Sequence, residues 1–227
     1  YKSKPERFVN RLYNMRLNEK INTPIGGEPL PIMPHPNDKA WNKISLPWMA
    51  YGYGVYLTPI QILTFYNAVA NNGEMVKPKF VNKISSIGNK PIHEIEREVI
   101  MPSICSEETL DVVKEMLENV VQKPWGTANR IHSDYVKIAG KTGTSQTKYW
   151  SNGDEPINVQ YIASFVGYFP SDKPKYTGIV VIHEPKKSKG YYGGTVAAPV
   201  FKRIAQKIQG LSPTIIEINK KDIDNLF

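Results

Sequence analysis

Val136-Lys137-Ile138-Ala139-Gly140-Lys141-Thr142-Gly143-Thr144-Ser145-Gln146 is the stretch on which the fold of this chain turns. Its first four residues alternate apolar and polar, the period of a strand, and run directly into Gly140-Lys141-Thr142-Gly143. A strand that ends this way presents several kinds of chemistry along one edge. Gly143 has no Cβ, so an extended substrate backbone can lie close against it. Lys141 offers a fixed positive charge at a cleft floor, and the hydroxyls of Thr142 and Thr144 suit a carboxylate. The Thr144 N–H can donate to a developing oxyanion. Acyl transfer by a serine uses such a set, together with a nucleophile and a base. On its own Lys-Thr-Gly equally describes an ordinary strand end, and the flanking sequence is what gives it weight.

Downstream, Tyr161 to Phe169 and Tyr176 to His183 read as two strands joined by the turn Pro170-Ser171-Asp172-Lys173-Pro174, an antiparallel hairpin. A last helix is expected from Thr195 to Gln209, ending at Gly210, with Pro199 tolerated in its first turn. Upstream, Ser106 caps a helix that carries Glu107 and Glu108 at its dipole-favoured end. Val112, Val113, Met116, Leu117, Val120 and Val121 are its expected buried stripe, and Lys123-Pro124-Trp125-Gly126 stops it. Thr58-Pro59-Ile60-Gln61 is a capping-box helix start. That helix should carry Ile62, Leu63, Phe65, Tyr66 and Val69 and end near Asn71-Asn72-Gly73. A first helix is expected from Glu6 to Asn18, with Phe8, Val9, Leu12, Met15 and Leu17 at helical spacing. Between them, Ile21 to Pro59 is dense in Pro and Gly and predicts a long irregular connection, pinned by Ile44, Leu46, Trp48 and Met49. The fold class expected is α+β, an antiparallel sheet flanked by helices. Residues 1–210 form the domain and 211–227 a polar tail, an added strand or a loose end.

A length of 227 residues suits one domain, and 41% hydrophobic residues argues against global disorder. No apolar run approaches the roughly 20 residues that cross a bilayer. The net charge of +8 suits an anionic neighbour. Its one obvious cluster, Lys186-Lys187-Ser188-Lys189, lacks interleaved aromatics, so a solvated basic surface is expected and no nucleic-acid partner. Cys105 is the single cysteine, which excludes an internal disulfide. His35, His93, His132 and His183 lie far apart and show no metal-ligand spacing, so neither a metal nor a cofactor is expected.

Beyond single motifs, the chain resembles the class B penicillin-binding proteins, the bacterial peptidoglycan D,D-transpeptidases, especially those of cell division. Gly126-Thr127-Ala128 followed by Val136 to Gln146 looks like that family's approach to its Lys-Thr-Gly motif. Ala50-Tyr51-Gly52-Tyr53-Gly54, Leu57-Thr58-Pro59-Ile60-Gln61 and Ala70-Asn71-Asn72-Gly73 are similar to its Gly-Tyr-Gly and Thr-Pro-x-Gln helix. Ala163 to Pro170 looks like its next strand, and Tyr192-Gly193-Gly194-Thr195-Val196-Ala197-Ala198-Pro199-Val200-Phe201 like its closing loop and helix. The resemblance implies a penicillin-binding transpeptidase (β-lactamase-like) fold. It implies cross-linking of wall stem peptides ending in D-Ala-D-Ala, and acylation by β-lactams as inhibitors. It also implies division-complex partners and a membrane anchor with the enzyme facing the periplasm or cell wall. By position in the motif, Lys141 belongs to the catalytic hydrogen-bond network. Thr142, Gly143 and Thr144 border the substrate, with the Thr144 N–H completing the oxyanion hole. Tyr191, Tyr192 and Gly193 sit where the family's last loop lines the pocket; a tyrosine pair packing a turn is the other reading of these residues.

One departure stands out. No Ser-x-Asn occurs from Tyr1 to Phe227, and the only Ser-x-x-Lys, Ser145 to Lys148, lies after Lys141 and is expected to follow the strand. The nucleophile and a membrane anchor are therefore expected before Tyr1, which is not an initiator residue. The chain alone is expected to be incomplete in fold and not acylated. It is also expected to dimerise, swap an element or fill the gap with another segment, since apolar surface is left uncovered. The alternative is a non-catalytic wall-peptide or β-lactam-binding sensor module of the same fold. A β-lactamase is disfavoured by the Gly-Tyr-Gly and Thr-Pro-x-Gln segment.

Overall fold

A computed structural model describes residues 1–88, 90–147 and 159–211. Its first helix, α1 (Glu6–Asn14), stops short of the expected Asn18. Arg16 takes a left-handed backbone (φ 57°), and the Met15 N–H turns back to the Arg11 and Leu12 carbonyls, which closes the last turn. Val9 is fully buried and meets Met33 and Met49 in a small core that pins the long connection. Of the four expected pins, Met49 is buried, Leu46 and Trp48 are half-buried and Ile44 is exposed. Regular structure in this connection is limited to α2 (Ser45–Ala50) and one bridge, Ile32 to Tyr56.

Helix α3 (Pro59–Ala70) begins with the predicted capping box. Thr58 Oγ1 accepts the Gln61 N–H at 3.3 Å, and the Gln61 side chain accepts the Thr58 N–H at 2.8 Å. Its buried residues are Gln61, Thr64, Ala68, Val69 and Ala70, while Ile62, Leu63, Phe65 and Tyr66 are only half-buried. Four short strands follow that periodicity did not predict: β1 (Met75–Val76), β2 (Lys83–Ser85), β3 (Pro91–Glu94) and β4 (Val99–Met101). They pair as two ribbons, β1 with β4 and β2 with β3. Segments this short carry too few residues to display an alternation.

Helix α4 (Glu107–Gln122) starts at Ser106, whose Oγ accepts the Thr109 N–H at 3.4 Å. The expected stripe needs correction. Leu110, Leu117 and Val121 are buried, but Val112 and Met116 are 51% and 62% exposed. A helix advancing about 100° per residue keeps Leu110, Leu117 and Val121 within about 40° of one another and carries Val112 and Met116 off that face.

Strands β5 (Ala139–Thr147), β6 (Gln160–Phe169) and β7 (Tyr176–His183) form an antiparallel sheet in the order β5-β6-β7. The β6–β7 hairpin is as expected. Strand β5 is displaced: the ladder starts at Ala139 and continues to Thr147, so Lys141 to Thr144 lie inside the strand. Ser145, expected after the strand, pairs with Ile162. The apolar run of β6 extends the pairing through a segment of modest strand propensity, a case of tertiary context overriding local preference. The single closing helix is in fact two, α5 (Gly193–Val196) and α6 (Ala198–Leu211). Pro199 has no N–H for the Thr195 carbonyl, which interrupts the helical ladder there.

Helices cover both faces of the sheet. On one, Ala68, Val69, Leu110 and Leu117 of α3 and α4 pack with Ala139 and Tyr168. On the other, Ala197, between α5 and α6, and Phe201 and Ala205 of α6 pack with Phe165 and Phe169, and Val121 from the end of α4 joins them. The architecture is the α+β arrangement expected. The tail beyond Leu211 lies outside the described residues.

Candidate functional site

Strand β5 is the outer strand of its sheet and pairs, among the described residues, with β6 alone. Alternation along it divides the candidate residues. Lys141, Gly143 and Ser145 share the face of Ala139, which packs toward α3 and α4. Thr142 and Thr144 take the opposite face, toward α5. The direction of the backbone groups also follows. The Gln146 N–H donates to the Tyr53 hydroxyl at 3.3 Å, on the side of β5 away from β6. Two residues earlier, the Thr144 N–H faces that same open side.

Each candidate has a defined neighbour. The Lys141 ammonium donates to the Thr142 carbonyl at 2.9 Å, and partial withdrawal from water holds its pKa below the ordinary lysine value. Thr142 Oγ1 lies 3.0 Å from Thr127 Oγ1. Thr144 Oγ1 accepts the Gly193 N–H at 3.0 Å, which leaves its own proton to donate elsewhere. This contact ties the start of α5 to β5 and accounts for two glycines. A Cβ on Gly193 would overlap the carbonyl oxygens of Ser164 and Gly143, and one on Gly143 would meet the Ser164 hydroxyl. Gly143 therefore has a packing reason to be glycine in addition to any approach of a substrate.

Tyr191 and Tyr192 border the same edge. Tyr191 stacks on Tyr161 at 4.1 Å between ring centroids and lies 4.4 Å from the Tyr192 ring. Its hydroxyl donates to the Tyr192 hydroxyl at 3.1 Å. That hydrogen bond, with the neighbouring phenols, pushes the Tyr191 pKa up to about 12, so it stays protonated at neutral pH. Lys187 places its ammonium 5.9 Å from the Tyr161 centroid. At the far end of β5, Ile44, Pro47, Trp48, Tyr51, Tyr53 and Gln146 line an apolar cavity of about 430 Å³.

The structure brings Lys141, Thr142, Gly143, Thr144 and Gly193 together, with Tyr191 and Tyr192 alongside. Ser145 sits in an extended strand and not at a helix start, and Lys148 lies outside the described residues. Thr127, Tyr53 and Tyr161 were not singled out as site residues from sequence. Thr127 belongs to a quoted motif, but nothing local points its hydroxyl at Thr142. Among the described residues no group of acidic, histidine or cysteine side chains is arranged to hold a metal ion.

Residues 31–206 match the family model for the penicillin binding protein transpeptidase domain. The chain is 31% identical over 172 residues to the peptidoglycan D,D-transpeptidase FtsI of Buchnera aphidicola, covering 76% of this chain and 28% of that protein. It is 30% identical over 206 residues to penicillin-binding protein PbpB of Mycolicibacterium smegmatis, covering 88% of this chain and 31% of that one. Among solved structures, penicillin-binding protein 3 of Mycobacterium tuberculosis in complex with ampicillin superposes with a TM-score of 0.77 at 25% identity, covering 95% of this chain and 48% of that one. The apo transpeptidase domain of Burkholderia pseudomallei penicillin-binding protein 3 gives a TM-score of 0.72 at 26% identity, covering 95% and 60%. The chain thus spans about three tenths of the length of these curated relatives.

Proposed function

The chain belongs to the penicillin-binding protein transpeptidase domain family, and on that footing we propose that it forms the substrate-binding edge of a serine D,D-transpeptidase that cross-links wall stem peptides. The observation that carries this reading is the β5 edge. It offers an N–H at Thr144 on its open side, hydroxyls of Thr142 and Thr144 on one face, and from the other face the Lys141 ammonium turned to the Thr142 carbonyl.

In the proposed reaction a donor peptide ending in D-Ala-D-Ala lies along β5. Its terminal carboxylate meets the hydroxyls of Thr142 and Thr144, and the scissile carbonyl oxygen points at the Thr144 N–H. A serine oxygen supplied by polypeptide outside these 227 residues forms the ester bond as the C–N bond breaks, and the terminal D-Ala leaves with a proton. Lys141 belongs to the hydrogen-bond network that carries that proton. An acceptor amine then displaces the serine and restores its hydroxyl. A β-lactam enters the same edge through its carboxylate and acylates the same serine by ring opening. Tyr191, Tyr192 and Gly193 border the donor, with Gly193 holding Thr144 in place. On the same family footing, the proposal includes a working enzyme at the cell membrane, facing the wall, in company with division proteins. A periplasm-active reporter fused to the native protein checks that location, and loss of reporter signal argues against it.

The lack of a usable Ser-x-x-Lys or Ser-x-Asn within the chain favours one second reading, a non-catalytic module that binds wall peptides or β-lactams. Intact-mass spectrometry of the full-length protein after exposure to penicillin separates the two. A single covalent adduct supports the transpeptidase, and none supports the binding module.

A further inference from the structure

We propose that Thr127 is a second carboxylate-binding residue of this site, its hydroxyl acting side by side with that of Thr142 to select donors with a free terminal carboxylate. The inference rests on the reading of Thr142 given above. Thr127 Oγ1 and Thr142 Oγ1 stand 3.0 Å apart, although the residues are 15 positions apart in the chain.

The backbone around Thr127 is held from both sides. The Gly126 N–H donates to the Lys123 carbonyl at 2.9 Å, and the Ala128 N–H donates to the Val120 carbonyl at 3.0 Å, both at the end of α4. Ala128 is fully buried, and Asn129 donates its side-chain amide to the Val121 carbonyl at 3.2 Å. Gly126 and Gly194 leave no room for a Cβ, the first against the carbonyls of Asn119 and Val120, the second against that of Thr127 itself. Thr127 is nevertheless exposed, so a rigid turn presents it to solvent beside β5.

Two hydroxyls in contact share one hydrogen bond, and the accepting partner keeps a proton to give. The shared bond polarises that O–H and strengthens what it donates to an anion. A carboxylate accepts that remaining proton, or one from each hydroxyl once it replaces their mutual hydrogen bond. Among the described residues, no acidic side chain hydrogen-bonds to Thr127, Thr142 or Thr144. A hydrogen bond to a charged group contributes more than a neutral one, which makes the second hydroxyl a specificity element.

The test compares acylation of the full-length protein by benzylpenicillin and by its methyl ester, whose carboxylate is masked. In Thr127→Val, the second-order rate with benzylpenicillin should fall roughly tenfold to a hundredfold. The rate with the ester should stay within about threefold of the parent, and Thr127→Ser should keep both rates. If Thr127→Val misfolds, Thr127→Ala removes the same hydroxyl with less crowding. Equal losses for acid and ester would reduce Thr127 to a packing role and overturn the proposal, as would no loss for the acid. A parent protein that neither compound acylates would overturn the proposed function itself, and this inference with it.

Discussion

At the level of single residues, the edge of β5 is held by backbone lying on backbone. Gly193 faces the carbonyl oxygens of Gly143 and Ser164 with no space for a side chain, and its N–H is bonded to Thr144 Oγ1. Replacing Gly193 by Ala should lift α5 from β5 and cost about 1–3 kcal/mol. Urea unfolding reads that loss, and penicillin labelling of the full-length variant should slow with it; unchanged unfolding would mean the contact is softer than described. Lys141 is a different case. The residue lies at the surface with its amine partly withdrawn from water and turned to the Thr142 carbonyl. Lys141→Gln should therefore leave the melting temperature nearly unchanged while slowing acylation roughly a hundredfold or more. A variant labelled at the parental rate would remove Lys141 from the proton-carrying network. Much of this was legible beforehand: the tetrad Lys141 to Thr144 was identified on its chemistry, and the structure places it on an open sheet edge. The partners Thr127 and Gly193 were not assigned these roles, because each reaches the strand only through folding, from 15 and 49 residues away.

At the level of elements, local chemistry explains how helices start and long-range contacts explain what they bury. The Thr58–Gln61 box was readable because both partners lie within one turn. Thr58→Ala should cost about 1 kcal/mol, measurable by thermal unfolding. The same Gln61 also reaches across the fold, donating to Glu28 at 2.9 Å. Glu28 accepts the Ile21 and Asn22 N–H groups as well, at 2.8 and 2.9 Å, and so ties the irregular connection to α3. Partial desolvation raises the Glu28 pKa, but the hydrogen bonds from Ile21, Asn22, Gln61 and Thr23 outweigh it and the net effect is a lowering. The sign follows. A carboxyl whose pKa is depressed by folding stabilises fully above its unfolded value, and that contribution disappears as pH falls through its folded value. Glu28→Gln should thus be less stable than the parent at neutral pH, with the gap closing as pH falls through the depressed folded-state pKa of Glu28. A gap independent of pH would assign Glu28 a purely steric part. Helix α4 shows the opposite limit of local reasoning. Its Ser106 cap is as expected, yet Val112 and Met116 are exposed, because the placement of the sheet decides which arc of the helix is covered.

At the scale of the whole molecule, β7 ends the sheet as an apolar strand paired, among the described residues, with β6 alone. Its outer N–H and C=O groups offer a template for another strand. The 227-residue chain by itself should associate in a concentration-dependent way, which light scattering checks; one monomeric mass at every concentration counts against it. The strand hairpin follows from hydrophobic alternation, and the helix starts from their capping residues. What the sequence determined alone was the main capped helices, the β6–β7 hairpin and the chemical kit on β5, because caps, turns and alternation depend on residues a few positions apart. Tertiary structure alone decided the register that carries β5 through Ser145 to Thr147, and the meeting of Thr127 and Tyr161 with the site. Those outcomes depend on contacts between distant segments, where the area buried by one packing over another outweighs the weak preferences of any short stretch.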